Sequence, residues 1–499
     1  MNNSSHQLDI KADLLRFPRT SNSGMDHESA ELVPPSAWRY THISDTCLPS
    51  IMKNSAVVLT TALLLLVASS LSLESAFALR PTLTFGTPQN LAACCFEFPQ
   101  IAVSGANVYV VWIQGSDIMA KASNDYGATY NPAITIASSP DGRLVFPEIL
   151  ASGSEVHVTW IRIISSNQMI FYRRSLDNGL SWGQLTALSP PGQDAETDYQ
   201  MSVSGNNIYV VWPEFSRQNL TSAIMFRRSL DGGTSFEPTT TLANPTSIGL
   251  FTMARLGTSS NIIHVLYPLT TYYNQSTNSF ESRILYQRSF DNGTTFETAR
   301  TLTLAPGWVG DVKLAISERR VFIVELDSIG VFLKTSTDAG ATWDNSLSIA
   351  VPGSGVFPSD PQIALSGNNT YIAWETGGCA DIIEQGTQCQ IFFQRSTSGG
   401  MAWTKPVILS DTGAEMLLAA SNNNVYLAWV EQQANMNIQI LFRASMDKGA
   451  TFENKMALGG PGLNQLESIG TSKNNVYVVW TAATSPAGAQ LYVRHGTNT

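Results

Sequence analysis

Charge is the first thing this chain is short of. Asp, Glu, Lys and Arg make up 14% of its 499 residues, against about a quarter in an ordinary globular domain. Basic residues number 29, acidic residues 39, and the formal net charge is −10. No run of Lys or Arg offsets that balance, so nucleic acid is excluded as the expected partner. Histidine is scarce too. Beyond residue 78 only His157, His264 and His495 remain, with no spacing that suits zinc or a catalytic triad. Cysteine is limited to five residues, one of them Cys47 near the N-terminus.

The one long apolar run is Ala56 to Leu73, preceded by Met52-Lys53-Asn54 and followed by Ala76-Phe77-Ala78. A basic start, an apolar middle and an A-x-A site make a secretory signal peptide, with cleavage expected after Ala78. An uncleaved anchor is the alternative, since the run is just long enough to span a bilayer. The signal begins 51 residues in, so Met52 reads as the true start. The expected organisation is residues 1–51 as a disordered or mis-annotated extension, 52–78 as the signal, and 79–499 as one repeat domain. The mature chain is then secreted or displayed on the cell surface, with no membrane span. Export makes Cys94, Cys95, Cys379 and Cys389 disulfide candidates, and their three possible pairings stay open.

What the chain has in abundance is one pattern, Ser-x-Asp-x-Gly-x-(Thr/Ser)-aromatic. It begins at Ser123, Ser175, Ser229, Ser289, Ser336 and Ser445, and a degenerate copy at Ser396 carries Ser398 in place of Asp. Successive starts lie 47 to 60 residues apart, the signature of a solenoid, a propeller or a similar array. The box reads as a hairpin corner. Asp accepts from backbone N–H groups ahead of it, Gly supplies positive φ, and the Thr or Ser hydroxyl ties the far side. The aromatic is expected to pack under its own hairpin. Asp125, Asp177, Asp231, Asp291, Asp338 and Asp447 are therefore structural; six equivalent residues cannot share one active site.

Between boxes the text is short strand. Met201 to Trp212 reads as a hairpin around Gly205-Asn206-Asn207, followed by a third strand from Ala223 and a fourth from Phe236. The second strands count the units: Val108 to Trp112, Val156 to Trp160, Ile208 to Trp212, Ile263 to Tyr267, Val321 to Glu325, Thr370 to Trp374, Val425 to Trp429 and Val476 to Trp480. The last unit ends after three strands, and Leu83 to Leu91 resembles the missing fourth. The chain is thus all-β, a β-propeller of four-stranded blades, eight in number with seven as runner-up, its ring closed by the N-terminal strand.

The box resembles the Asp-box (BNR) repeat of the sialidase-like β-propeller superfamily, from Leu83 to the C-terminus. The resemblance implies the propeller and leaves the activity open, since the same repeat serves sialidases, sortilin-type receptors and other glycoside hydrolases. Sialidases of this kind hold a carboxylate with three arginines, the first in a Phe/Tyr-Arg-Ile-Pro segment before the first box. Here that segment is Cys94 to Ile101 and contains no arginine, so no sialidase catalytic residue carries over.

Candidate site residues follow from the repeat. Loops opposite the boxes place Glu97, Glu148, Asp198, Asp311, Asp360, Glu415 and Glu467 near the starts of first strands, and Arg162, Glu214, Asp327, Glu375 and Glu431 just beyond second strands. Glu214, Glu375, Glu431 and Asp327 are the catalytic candidates, as acids able to do the paired-carboxylate work of a glycosidase. Glu97, Arg162, Tyr272 and Tyr273 are the binding candidates, the tyrosines on a long loop where they would stack on a sugar or peptide or pack their own loop. The same carboxylates suit Ca²⁺; the sequence assigns no metal and no cofactor. Paired residues on the third strands, Arg173-Arg174, Arg227-Arg228, Gln287-Arg288 and Gln394-Arg395, are expected to pack between blades, their heads on carbonyls or the box Asp. The expected function is a monomeric binding module for a glycan or an extracellular protein; the alternative is an exo-acting glycoside hydrolase.

Overall fold

A computed structural model describes residues 82–499 apart from 94–95, 166, 193, 247–248, 272–280, 351–356, 377–388, 434–436, 461, 486–487 and 499. The expected extension and signal therefore lie outside the described residues, as do Cys94, Cys95, Cys379, Tyr272 and Tyr273.

Eight antiparallel sheets, each built on four strands in chain order, make an eight-bladed β-propeller, with no helix among the described residues. Blade 1 runs through Phe96–Ser104, Asn107–Gln114, Asp117–Ser123 and Ile134–Ser138. In blades 3 and 4 the first strand is split in two, Asp194–Ala195 with Gln200–Ser204 and Gly249–Phe251 with Arg255–Ser259. Blade 8 takes three strands from the C-terminus, Leu463–Ser472, Asn475–Ser485 and Gly488–Asn498. Its outer strand comes from the N-terminus: Leu83 faces Asn498, Gln89 faces Val493 and Asn90 faces Tyr492. The seam is therefore an ordinary strand ladder, and the third strand of blade 8 is not left as an open edge.

Second strands are apolar on both faces because each is covered by a neighbouring blade on either side. Blade 1 shows the rule, with Val108, Tyr109, Val110, Val111 and Trp112 all buried. Trp160, Trp212 and Trp429 fill the same place in their own blades.

The box is a fixed hydrogen-bonded corner. In the blade 3 copy Ser229 Oγ donates to Asp231 Oδ1 at 2.7 Å and accepts from Gly233 N at 2.8 Å. Ser235 donates its N–H to Asp231 Oδ1 at 2.9 Å and its hydroxyl to Oδ2 at 2.6 Å. The corners at Asp125, Asp177, Asp291, Asp338 and Asp447 repeat these bonds. Hydrogen bonds to the ionised form, first from the Thr129 and Ser181 hydroxyls, pull Asp125 and Asp177 down to about 2.

Each corner also sits on the blade before it, which revises two sequence expectations. The box aromatic packs away from its own hairpin, edge-on against a third-strand ring of the preceding blade: Phe236 on Tyr172 at 4.9 Å, Phe296 on Phe226 at 5.0 Å, Trp343 on Tyr286 at 5.1 Å and Phe452 on Phe393 at 4.9 Å. Phe85, on the N-terminal strand of blade 8, does the same to Phe442 of blade 7, at 5.0 Å. Because the chain leaves to make this contact, the fourth strand joins the ladder later than expected, at Thr240 and not Phe236 in blade 3.

The paired arginines tie blades in both directions. Arg227 reaches back to Leu188 O at 2.7 Å in blade 2, and Arg228 reaches forward to Asn292 O at 2.6 Å in the corner of blade 4. Arg174 grips Gly232 O, Arg288 grips Ala339 O at 2.6 Å and Arg395 grips Lys448 O at 2.7 Å. The heads find carbonyls of the next corner, as expected, and not its Asp. The corner glycine is required twice over. Gly233 has φ of +84°, and a Cβ there would overlap Tyr172 Oη.

The degenerate corner of blade 6 keeps only part of this network. Ser398 Oγ accepts from Ala402 N at 2.8 Å, but Ala402 has no hydroxyl to return. Restoring the pattern with Ser398→Asp and Ala402→Thr should raise stability by about 1 kcal/mol. The measurement is the urea unfolding midpoint at unchanged slope; a midpoint that stays or falls contradicts the role given to the corner.

Candidate functional site

First strands line the axis, since each touches the first strands of neighbouring blades. A polar side chain near the start of several of them reaches the next blade's first strand. Glu148 Oε2 accepts from Met201 N at 2.8 Å, Gln200 Oε1 from Leu256 N at 2.6 Å and Ser468 Oγ from Ile101 N at 3.4 Å. Arg255 Nε donates to Val312 O at 2.9 Å. The aim of Glu148 comes from a bulge that recurs in blades 1, 6 and 7. Phe98, Phe146, Asp360 and Glu415 take φ of 54°, 51°, 41° and 52°, each beside a register shift in its pairing with the second strand. Such bulges redirect the following side chains. Three of them show in the sequence as Phe98-Pro99-Gln100, Phe146-Pro147-Glu148 and Asp360-Pro361-Gln362.

Charge around this mouth is uneven. Arg255 bridges Asp198 at 3.1 Å and Asp311 at 3.3 Å, and Lys313 adds a contact to Asp311 at 2.8 Å. On blades 6 and 7 the acids face one another instead. Glu375 is 4% exposed and accepts from Met416 N at 3.0 Å. Burial first, then the charges of Asp360 and Glu415, push its carboxyl up to about 8. Glu148 keeps partial access to solvent, yet burial again pushes it up to about 8 against the pull of the Met201 amide and Arg255.

The other candidates, Glu214 excepted, are engaged by neighbouring protein groups. Glu431 Oε1 accepts from the Trp429 indole N–H at 3.0 Å and from Ser410 Oγ at 2.7 Å, and Lys455 reaches Oε2 at 3.0 Å. Asp327 accepts from Ile329 N at 2.8 Å, closing its own turn, while burial raises its carboxyl. Glu214 is buried at 5% exposure, which raises it, and the neighbouring Trp212 indole pulls the other way. That contact falls outside hydrogen-bond geometry, and Glu214 Oε2 and Trp212 Nε1 have no hydrogen-bond partner among the described residues. Glu97 forms an exposed ion pair with Arg143 at 2.8 Å. Arg162 binds Asp141 at 2.7 Å and Ser139 at 2.9 Å and lies 6.0 Å over the Phe171 ring. Cys389 is buried and disulfide-bonded. His157 and His264 pair with the hydroxyls of Tyr172 and Tyr286 at 2.8 and 2.7 Å, as core residues. Among the described residues no group of three or more His, Cys, Asp or Glu is placed to hold a metal.

Two cavities stand out among the described residues, and the sequence pointed to neither. One, of about 730 Å³, lies on the box face, lined by Tyr126, Asn422, Lys473, Asn474, Asn475, His495 and Thr497. The other, of about 530 Å³, opens where blade 8 meets the linker from blade 7, over Trp480 and Tyr492.

No family model and no curated protein matches the chain. Solved structures do resemble it. A protein of unknown function from Dyadobacter fermentans aligns at 14% identity over 83% of this chain and 99% of its own, with a TM-score of 0.38. An α-L-arabinofuranosidase of Fusarium graminearum aligns at 13% over 59% and 92%, TM-score 0.37. The NanB sialidase of Streptococcus pneumoniae aligns at 11% over 78% and 83%, TM-score 0.35. At this distance they assign neither activity nor ligand, and the propeller rests on the strand pairing above.

The raised carboxyls fix a pH dependence. Unfolded, Glu148 and Glu375 release their protons near 4.5; folded, they hold them to about 8, so stability falls as pH rises across that window. Burial first, then a nearby arginine, holds His157 and His264 at about 4 against an ordinary 6.5, so their effect rises with pH from 4 to 6.5. From pH 6.5 to 8 the carboxyl effect is unopposed by these histidines. The Tm should drop over that interval, and drop less in Glu375→Gln, which keeps an acceptor for Met416. A flat or rising profile, or an unchanged slope in the variant, contradicts the assignment.

Proposed function

We propose that the chain is an exported Asp-box propeller of the sialidase-like superfamily, acting as a monomeric binding module for a glycan or an extracellular protein. The observation that carries this reading is the engagement of five of the loop-face acids, Glu214 being the exception with an unpartnered Oε2 among the described residues. Glu431 caps an indole, Asp327 closes a turn, Glu375 and Glu148 hold the next blade's backbone, and Glu97 is paired on the surface. A retaining or inverting glycosidase needs two carboxyls facing a substrate across about 5 to 10 Å. These five acids are tied to protein groups instead. Export rests on the signal pattern before Ala78, and the monomer on a ring with no open edge at its seam.

The hydrolase reading keeps one specific point in its favour. Glu148 and Glu375, both pushed up to about 8, stay protonated at neutral pH, as a general acid must. The two readings separate in one experiment. Purified mature protein is applied to an array of glycans and, in parallel, to sialosides and aryl glycosides. Retention of glycans without turnover is the expected result. Turnover that disappears in Glu148→Gln or Glu375→Gln would replace the binding module with a hydrolase.

A further inference from the structure

The second strands of several blades end on a repeated device. Two residues after the buried Trp, a longer side chain lies back over it or over its stacked partner. In blade 1 the Trp112 indole N–H donates to Gln114 Oε1 at 3.3 Å, and in blade 7 Trp429 donates to Glu431 at 3.0 Å. In blade 2, Trp160 stacks beside Phe171 on the adjacent strand, and Arg162 lies over the Phe171 ring. Blade 8 has the same aromatic pair: Trp480 faces Tyr492 across the ladder, rings stacked at 5.5 Å and 21°. The residue two beyond Trp480, however, is Ala482. Ala482 thus sends no long side chain over the pair, and Gln490, which faces it across the ladder, lies alongside with its Oε1 accepting from the Tyr492 hydroxyl.

The cavity of about 530 Å³ lies at this spot, within the usual size range of a small-molecule site. Both aromatics line it, Tyr492 half-buried and Trp480 with only 2% exposure. Gly459 lies beside the Trp480 indole nitrogen: a Cβ there would fall 3.2 Å from Nε1. Asn464 donates to Gly460 O at 3.0 Å and so holds that glycine at the wall. No residue of 459–464 or 481–489 is charged, and none of the described lining residues is either.

We infer that this cleft binds a neutral sugar ring. The apolar C–H face of the sugar packs on the Tyr492 ring, whose negative π face attracts the weakly positive C–H edge. A ring hydroxyl takes the place of the Glu431 carboxylate and accepts from the Trp480 indole N–H. The absence of Lys and Arg argues against a carboxylated or phosphorylated ligand, which would need charge-assisted bonds. This inference rests on the binding-module reading, naming for it a ligand class and a place on blade 8.

The test uses the full mature chain labelled with 5-fluorotryptophan, its Trp480 resonance assigned through Trp480→Phe. Maltose, cellobiose, lactose and arabinobiose are titrated in turn. At least one should shift the Trp480 signal saturably. Ala482→Glu, which copies the arrangement of blade 7, and the uncharged Ala482→Gln should both fill the cleft and abolish the shift with the melting curve retained. Tyr492→Ala should weaken binding at least about tenfold, the loss of one good stacking contact. Sugar binding that persists in both Ala482 variants would leave the module reading standing and remove this site. No glycan binding to any variant or to the wild type would remove both. A proline-rich peptide shifting Trp480 where no disaccharide does would overturn the sugar assignment.

Discussion

In blades 3, 4, 5 and 7 the corner seats the blade on the one before it through one recurring contact. A tight corner, closed on an Asp, presents glycine, aromatic and carbonyl to the third strand of the preceding blade. The aromatic meets a ring edge-on, the glycine leaves room for a tyrosine hydroxyl or a phenylalanine edge, and an arginine from below grips the carbonyl. A sheet with both faces apolar must bury both against other elements. Stacked between two neighbours it does so, and the corner fixes the angle at which the stacking repeats. The contact of Phe85 with Phe442 is the same one, supplied from the other end of the chain.

The two ends of the ring differ for a related reason. Corners on one side are fixed by their hydrogen bonds. At the other end, bulges beginning at Phe98, Phe146, Asp360 and Glu415 swing polar residues toward the axis, where Glu148 bonds the next blade's backbone. The mouth is therefore stitched as well as charged. A buried carboxyl such as Glu375 is tolerated there because it has an amide to hold, and its cost shows as a proton affinity far above that of a free acid.

Much of the architecture was legible because it repeats. The box set its own spacing, the Val/Ile-rich second strands counted eight, and the likeness of Leu83 to Leu91 to a fourth strand located the seam. The direction of Phe236 and Phe296 was not legible: a hairpin corner looks the same whether its aromatic folds under or reaches across. The roles of Glu431 and Asp327 were hidden for a related reason. Sequence places an acid beyond a strand end, but only coordinates show the indole or turn amide that occupies it. The Ala482 cleft is the converse case. It is visible only as a missing side chain in a series of equivalents, a signal that required the blades to be aligned through their tryptophans.

Joining of the two chain ends in one blade is what turns a row of sheets into a ring. Amide hydrogen exchange of the native protein tests it directly, residue by residue along Gln89–Ala93 and Gly488–Asn498. In a closed ring the amides from Gln490 to Val493 lie between two paired strands. They should then exchange only through global unfolding, as slowly as those of Val210 and Leu427 in the middle blades. Fast exchange at alternate amides of that stretch, the pattern of an open strand edge, with Val210 and Leu427 still protected, would contradict the closure.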